Sequence, residues 1–184
     1  MVGQGEEDEE SYDGAIVVLC IGNRYMRDDG VGPEVSRRLR GMDLASGVLV
    51  RDSVSINLGI IWEFRAASKL VVVDAVGSGD RPGTVTRHLL SPGKGPARLL
   101  GGLHGLDLSS AVDLAVPEAA GLTVVVVGVE PRDCGAGEGL TEEVAAAVPR
   151  AVDAVLAEMR SGVRGHSSGS LRKSNKGKRG DCVA

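Results

Sequence analysis

The chain has 184 residues, of which 42% are hydrophobic and only 2% aromatic, and its net charge is −4. This length and composition suit one domain whose core is built from Val, Leu, Ile and Ala. No apolar run approaches the ~18 residues that a membrane-spanning helix requires, and the acidic start is unlike a signal peptide, so we expect a cytoplasmic protein without a membrane partner.

The charge is distributed unevenly along the chain. Residues 1–13 contain six acidic and no basic residues, whereas residues 160–184 contain seven basic residues and one acidic residue. The part between them has no basic surplus, which argues against a nucleic-acid partner. We expect flexible tails at 1–13 and 161–184 and one domain at 14–160.

Strand and helix patterns alternate along that domain. Apolar runs predict buried strands at residues 15–21, 48–51, 70–76 and 122–129, and a run of mixed polarity predicts an edge strand at 84–90. Helical patterns occupy residues 33–40, 58–67 and 108–116, followed by a long helix that Thr141 should cap and Pro149 should kink or split. The alternation predicts an α/β fold, a three-layer α/β/α sandwich with a mostly parallel central sheet.

The most informative motif directly follows the first strand and reads Ile21-Gly22-Asn23-Arg24-Tyr25-Met26-Arg27-Asp28-Asp29-Gly30-Val31-Gly32. Asp28 suits a cap of the next helix, worth about 1 kcal/mol, or a chemical role. Asp29 follows the first strand, and Asp74 ends the third. Because ligands bind beyond the carboxyl ends of the strands in such sheets, both acids should lie on the same rim.

A histidine adds a third candidate ligand. His104 lies in a glycine-rich loop just before the predicted helix 108–116. Asp29, Asp74 and His104 together offer two carboxylates and one imidazole, a set that leaves coordination positions open for water or substrate. On chemistry alone, such a set accepts Zn²⁺, Ni²⁺, Mn²⁺ or Fe²⁺.

Four ordered motifs resemble those of the hydrogenase maturation endopeptidases. They are the glycine and aspartate motif at 21–32, the strand ending in Asp74-Ala75, the segment Leu103-His104-Gly105-Leu106, and the segment Gly128-Val129-Glu130-Pro131. Together they span roughly residues 15–159. The resemblance implies that Asp29, Asp74 and His104 form the metal site and carry the catalytic role.

The resemblance also implies a substrate and a metal. Members of this family remove the C-terminal extension from the large-subunit precursor of a [NiFe] hydrogenase. Nickel already inserted in that precursor is the recognition signal, and Zn²⁺ or another divalent metal can substitute. One departure concerns the turn Asp52-Ser53-Val54-Ser55, where relatives often have Asp-Gly-Gly-Thr. The changed turn affects the substrate cleft more than the metal site.

Other functional readings remain open from the sequence. The first strand and its Gly-Asn turn resemble peptidyl-tRNA hydrolase, but Arg27-Asp28-Asp29-Gly30 replaces the segment which that family has. A nucleotide-binding Rossmann domain is a further alternative, but this chain lacks the remaining glycines of that domain's phosphate-binding motif. A non-catalytic chaperone that binds nickel or the large subunit is the alternative from a different class. Cys134 is a candidate catalytic thiol, and Glu130 is predicted to organise a turn or an interface.

Overall fold

The computed structural model describes residues 12–90 and 121–162. The elements in chain order are β1 (Ile16–Ile21), a 3₁₀ turn (Arg27–Gly30), α1 (Val31–Arg40), β2 (Val48–Ser53), α2 (Leu58–Glu63), β3 (Lys69–Ala75), β4 (Val85–Leu90), β5 (Thr123–Val129) and α3 (Glu142–Gly162). The predicted helix 108–116 lies outside the described residues. Within the described ranges, no helix is both long and apolar enough to cross a membrane.

The five strands form one sheet in the order β2-β1-β3-β5-β4. The first four are parallel, and β4 pairs with β5 in the antiparallel direction at the edge. Because β1 and β3 are parallel neighbours, their carboxyl ends lie at the same rim of the sheet. The predicted α/β class with a mostly parallel sheet is confirmed, and so is the edge position of β4.

The sheet is covered on both faces, as its valine-rich strands require. Alternate residues of β1 separate into two cores: Val18 and Cys20 pack with α1 and α3, whereas Val17 and Leu19 pack with α2. All four side chains are at most 1% exposed. Because β1 is buried on both faces of the sheet, helices cover the sheet on each side, and the domain has three layers.

Several element boundaries differ from the sequence prediction. α2 ends at Glu63 rather than near residue 67, because the next residues form tight turns such as Ala67 N–H to the Phe64 carbonyl at 3.0 Å. α3 runs through Pro149 as one helix, so of the two effects predicted for this proline, a kink or a split, the split is wrong. Val148 and Val152 on either side are buried in the core, and this packing holds the two halves of the helix together.

A buried network of charged side chains joins the start of β3 to α3. Lys69 Nζ donates to Glu158 Oε2 at 3.1 Å and to Ser161 Oγ at 2.7 Å, and Arg87 Nε donates to Glu158 Oε1 at 2.5 Å. Lys69 and Glu158 are 8% and 7% exposed. The hydrogen bond from Arg87, together with Lys69, holds the pKa of Glu158 below its ordinary value.

We expect Glu158→Gln to lower the free energy of unfolding by about 1–3 kcal/mol, because Lys69 and Arg87 lose their shared anion. Since the folded-state pKa of Glu158 is depressed, the stability that its charge contributes is present above the unfolded pKa of about 4.3. This contribution is lost as the pH falls through the folded-state pKa. Urea unfolding at pH 7 and pH 3.5 measures both effects. Asp153→Asn, at an exposed position of the same helix, should stay within about 0.5 kcal/mol.

Candidate active site

Two glycines shape the loop that follows β1. Gly22 has φ +136°, and a Cβ there would lie 1.8 Å from the carbonyl oxygen of Asp29. A Cβ on Gly32 would lie 2.0 Å from the carbonyl oxygen of Ile21. The backbone therefore folds back on itself with no room for a side chain, and this close approach fixes Asp29 against the end of β1.

Asp29 lies in the 3₁₀ turn with only 3% of its surface exposed. Its Oδ2 accepts a hydrogen bond from the Asn23 backbone N–H at 2.7 Å. The Asn23 side chain in turn accepts from the Tyr25 N–H at 3.0 Å, which holds the loop in place. Within the described residues, the Asp29 carboxylate is thus oriented by a backbone N–H group.

Asp74 lies at the end of β3, which the 3₁₀ turn contacts. The pKa of Asp74 is raised to about 7 by burial and by the negative charge of Asp29, against a hydrogen bond from the Ala75 N–H to Asp74 Oδ1 at 2.8 Å. The structure therefore brings the two predicted acids together on one rim, close enough for their charges to interact. An acid whose pKa is raised by burial and by a neighbouring charge is a candidate for a functional site.

The two carboxylates fit a divalent cation by their chemistry. A nearby cation would favour the ionised form of Asp74, which burial and Asp29 now disfavour. The predicted third ligand, His104, lies outside the described residues. In residues 12–90 and 121–162, no group of three or more His, Cys, Asp or Glu side chains is placed to hold a metal. The described part of the chain thus supplies two oxygen donors.

Asp28 has a role that the sequence reading missed. It is completely buried, and its carboxylate accepts hydrogen bonds from the backbone N–H groups of Arg132, Asp133 and Thr141 at 2.7–2.9 Å, and from the Thr141 hydroxyl at 2.9 Å. The predicted cap of α1 is wrong, since α1 has no side-chain cap. Asp28 instead ties the site loop to the segment before α3.

Glu130 organises a turn, as the sequence predicted. Its carboxylate accepts from the Ser78 N–H at 2.7 Å, the Ser78 hydroxyl at 2.7 Å and the Gly79 N–H at 3.1 Å. These bonds hold the loop that follows Asp74. The pKa of Glu130 is lowered, because the hydrogen bonds from Ser78 and Gly79 outweigh its burial. Glu130 therefore positions the loop that follows Asp74.

Cys134 lies near Asp28 and Asp29 but is poorly suited as a nucleophile. The pKa of its thiol is raised to about 11 by burial and by the negative charges of Asp29, Asp28 and Asp133. The thiolate is the reactive form of cysteine, and this environment disfavours it. A catalytic thiol at Cys134 is not supported by its surroundings.

An open cleft of about 570 Å³ lies beside the loop that carries Asp29. Its walls come from the loop after β1 and the end of β2 and are formed by Gly22, Asn23, Arg24, Tyr25, Pro33, Asp52, Ser53 and Val54. Tyr25 and Val54 are each 63% exposed, so the cleft has an apolar rim. Asp52 forms an ion pair with Arg40 at 2.8 Å. The changed turn noted in the sequence therefore forms one wall of this cleft.

Comparison with known proteins assigns the family. The family model described as hydrogenase maturation protease matches residues 34–158. The chain belongs to the hydrogenase maturation protease family. This membership confirms the predicted family and the predicted class of enzyme, a peptide hydrolase. The matched range contains Asp74 and His104 and begins just after Asp29.

Individual relatives agree with this assignment. The chain is 27% identical over 157 residues to the coenzyme F420 hydrogenase subunit delta of Methanothermobacter thermautotrophicus, which covers 80% of this chain and 96% of the relative. The fold is similar to that of the hydrogenase maturating endopeptidase HybD from Escherichia coli, with a TM-score of 0.68, 24% identity, and coverage of 80% and 93%. The [NiFe] hydrogenase maturation protease HycI from Thermococcus kodakarensis KOD1 gives a TM-score of 0.61 at 26% identity, with the same coverage.

Proposed function

We propose that this protease removes the C-terminal extension from the precursor of a [NiFe] hydrogenase large subunit after nickel has been inserted. The observation that carries the proposal is the placement of Asp29 and Asp74 on one rim, beside an open cleft. Nickel belongs to the substrate in this proposal, and Asp29, Asp74 and His104 contact it. Zn²⁺ or another divalent metal can take its place.

The cleft supports a protein substrate. It is open to solvent, its rim carries the exposed side chains of Tyr25 and Val54, and the exposed Met26 lies next to Tyr25. Exposed apolar side chains grouped around a cleft are typical of surfaces that bind another protein. A relative of similar fold is named a [NiFe] hydrogenase maturation protease, which agrees with this substrate class.

The charges of the site suit an incoming cation. Two carboxylates lie at one rim, and burial together with the charge of Asp29 raises the pKa of Asp74, so a cation beside them would favour the ionised form of both acids. When substrate-borne nickel is bound, it polarises the scissile carbonyl or activates water. Asp29, held by the Asn23 N–H, orients the contact, and Asp74 gives up its proton as the cation approaches. The reaction takes place in the cytoplasm in this proposal.

Incubation of the protein with nickel-loaded and nickel-free large-subunit precursor tests the proposal. We expect mass spectrometry to show a single truncation near the C-terminus of the nickel-loaded precursor and no truncation of the nickel-free form. The reason is that the two acids contact the precursor through its nickel. Equal cleavage of both forms would contradict the role of nickel. Tight binding of the precursor without any change in mass would favour the non-catalytic chaperone.

A further inference from the structure

A second cavity, of about 350 Å³, lies between the site loop, α1 and the beginning of α3. Four arginines line it, and apolar side chains form part of its wall. We call it the arginine groove; its principal residues are Arg24, Arg27, Arg37, Arg38, Leu140 and Val148. None of the sequence motifs indicates it, because its residues come from three separate segments.

The positive charge of the groove is only partly neutralised. Arg37 and Arg38 share one carboxylate, that of Glu34, at 2.8 and 3.2 Å. Glu34 is the one acidic side chain among the described residues of the wall, which leaves a surplus of about three positive charges. Arg27 pairs with Asp133, outside the wall, at a looser 3.3 Å. A chain with a net charge of −4 thus presents a concentrated positive groove.

The groove adjoins the candidate active site. Arg24 and Pro33 line both the arginine groove and the cleft beside Asp29. Gly30, the residue after Asp29, also lines the groove. An extended segment that occupies the cleft can therefore continue past Arg24 into the groove without leaving the surface.

We propose that the arginine groove binds an acidic peptide segment of the protein substrate, in which carboxylates alternate with apolar side chains. The inference rests on the proposed function and names the chemistry that the substrate presents beside the cleavage site. Guanidinium groups pair with carboxylates through short, charge-assisted hydrogen bonds, and Leu140 and Val148 offer apolar contact between them. These features favour a peptide over a nucleic acid, since none of the described residues that line the groove is an aromatic on which a base could stack.

The acidic residues of the chain's own N-terminus are not the occupant that we propose. Residues 6–10 contain five of the six N-terminal acids and precede Tyr12 by two to six residues, a reach of at most ~20 Å. Tyr12 packs edge-on against Phe64 at 4.9 Å, on the face of the sheet that α2 covers. The groove lies on the opposite face, beside α1 and α3, and at the other end of β1.

Fluorescence anisotropy with the full chain tests the groove directly. The probes are a labelled ten-residue peptide of alternating Glu and Leu, the same peptide with Lys in place of Glu, and a single-stranded RNA of ten nucleotides. We expect the acidic peptide to bind at low salt at least about tenfold more tightly than the basic one, and its affinity to fall as salt is added. RNA that binds more tightly than the acidic peptide would overturn the proposal.

Three variants locate the binding. Arg37→Gln combined with Arg38→Gln should weaken the acidic peptide about tenfold, because two of the four guanidinium groups are lost. Arg150→Gln combined with Arg160→Gln removes the same charge from exposed positions of α3 and should change the affinity less than about twofold. Glu34→Gln should strengthen binding about twofold to threefold, since it removes the acid of the wall. Equal weakening by both double variants would mean non-specific attraction and overturn the groove.

Cleavage kinetics separate this inference from the proposed function. If the function is right, wild-type protein truncates the nickel-loaded precursor, and the Arg37→Gln/Arg38→Gln variant should show the loss in KM rather than in kcat. Unchanged KM in that variant would overturn the groove while the function stands. Absence of any truncation by wild type would overturn the function, whereas peptide binding by anisotropy would still measure the groove.

Discussion

Replacement of Asp29 or Asp74 by asparagine should reduce cleavage of the nickel-loaded precursor by at least ~100-fold, because an amide cannot share the charge of a metal. The same loss is expected for His104→Ala, which tests the ligand that the family resemblance supplies. The readout is the initial rate of truncation by mass spectrometry.

The fold should survive both aspartate substitutions. Asp29→Asn keeps a side-chain oxygen that can accept a hydrogen bond from the Asn23 N–H. Among the described residues, this is the one hydrogen bond that the Asp29 carboxylate accepts. Asp74 is an acid whose charge is disfavoured by burial, so its ionised form does not stabilise the protein. Asp43→Asn, at an exposed position after α1, is the matched control and should cleave at the wild-type rate. Full activity of Asp74→Asn would contradict the assigned site.

Replacement of Asp28 by alanine should lower the free energy of unfolding by about 3–5 kcal/mol, because three backbone N–H groups and the Thr141 hydroxyl lose their common, fully buried acceptor. Asp28→Asn keeps the shape and one acceptor and should cost about 2 kcal/mol. Both values exceed the roughly 1 kcal/mol expected for a helix cap. Urea unfolding at pH 7 measures them.

A neighbouring aspartate provides the control for Asp28. Asp133 is half exposed, pairs with Arg27 at 3.3 Å and accepts the Gly135 N–H at 2.8 Å. Asp133→Ala should cost no more than about 1 kcal/mol, since water can replace both contacts. An effect of Asp28→Ala as small as that of Asp133→Ala would show that the buried hydrogen bonds do not hold the loop.

The strands were predictable because local patterns determine them. Residues 70–73 of β3 and 124–127 of β5 form continuous apolar runs, and such a run in an α/β chain indicates a strand buried on both faces. The polar residues of β4 indicated an edge, and β4 is the outermost strand of the sheet that the described residues form. The boundaries of the elements were less predictable. The end of α2, for example, depends on turns that form only in the folded protein.

The candidate acids were predictable in part. Asp29 and Asp74 follow strands, and the geometry of parallel sheets places the ends of neighbouring parallel strands at one rim. That β1 and β3 are neighbours, however, is a property of the sheet order, which the sequence pattern does not contain. The histidine came from family resemblance alone, and its role stays a prediction.

The sequence by itself determined the class of fold, the family and the two acids, because each depends on short-range pattern: apolar runs, glycines that no other residue can replace, and fixed spacing. Only the tertiary structure decided what Asp28 does and where the arginines meet. The partners of Asp28 lie 104 to 113 residues away, and the arginine groove joins α1 to the start of α3. Contacts between distant segments arise from packing, and packing leaves no periodic signal in the chain.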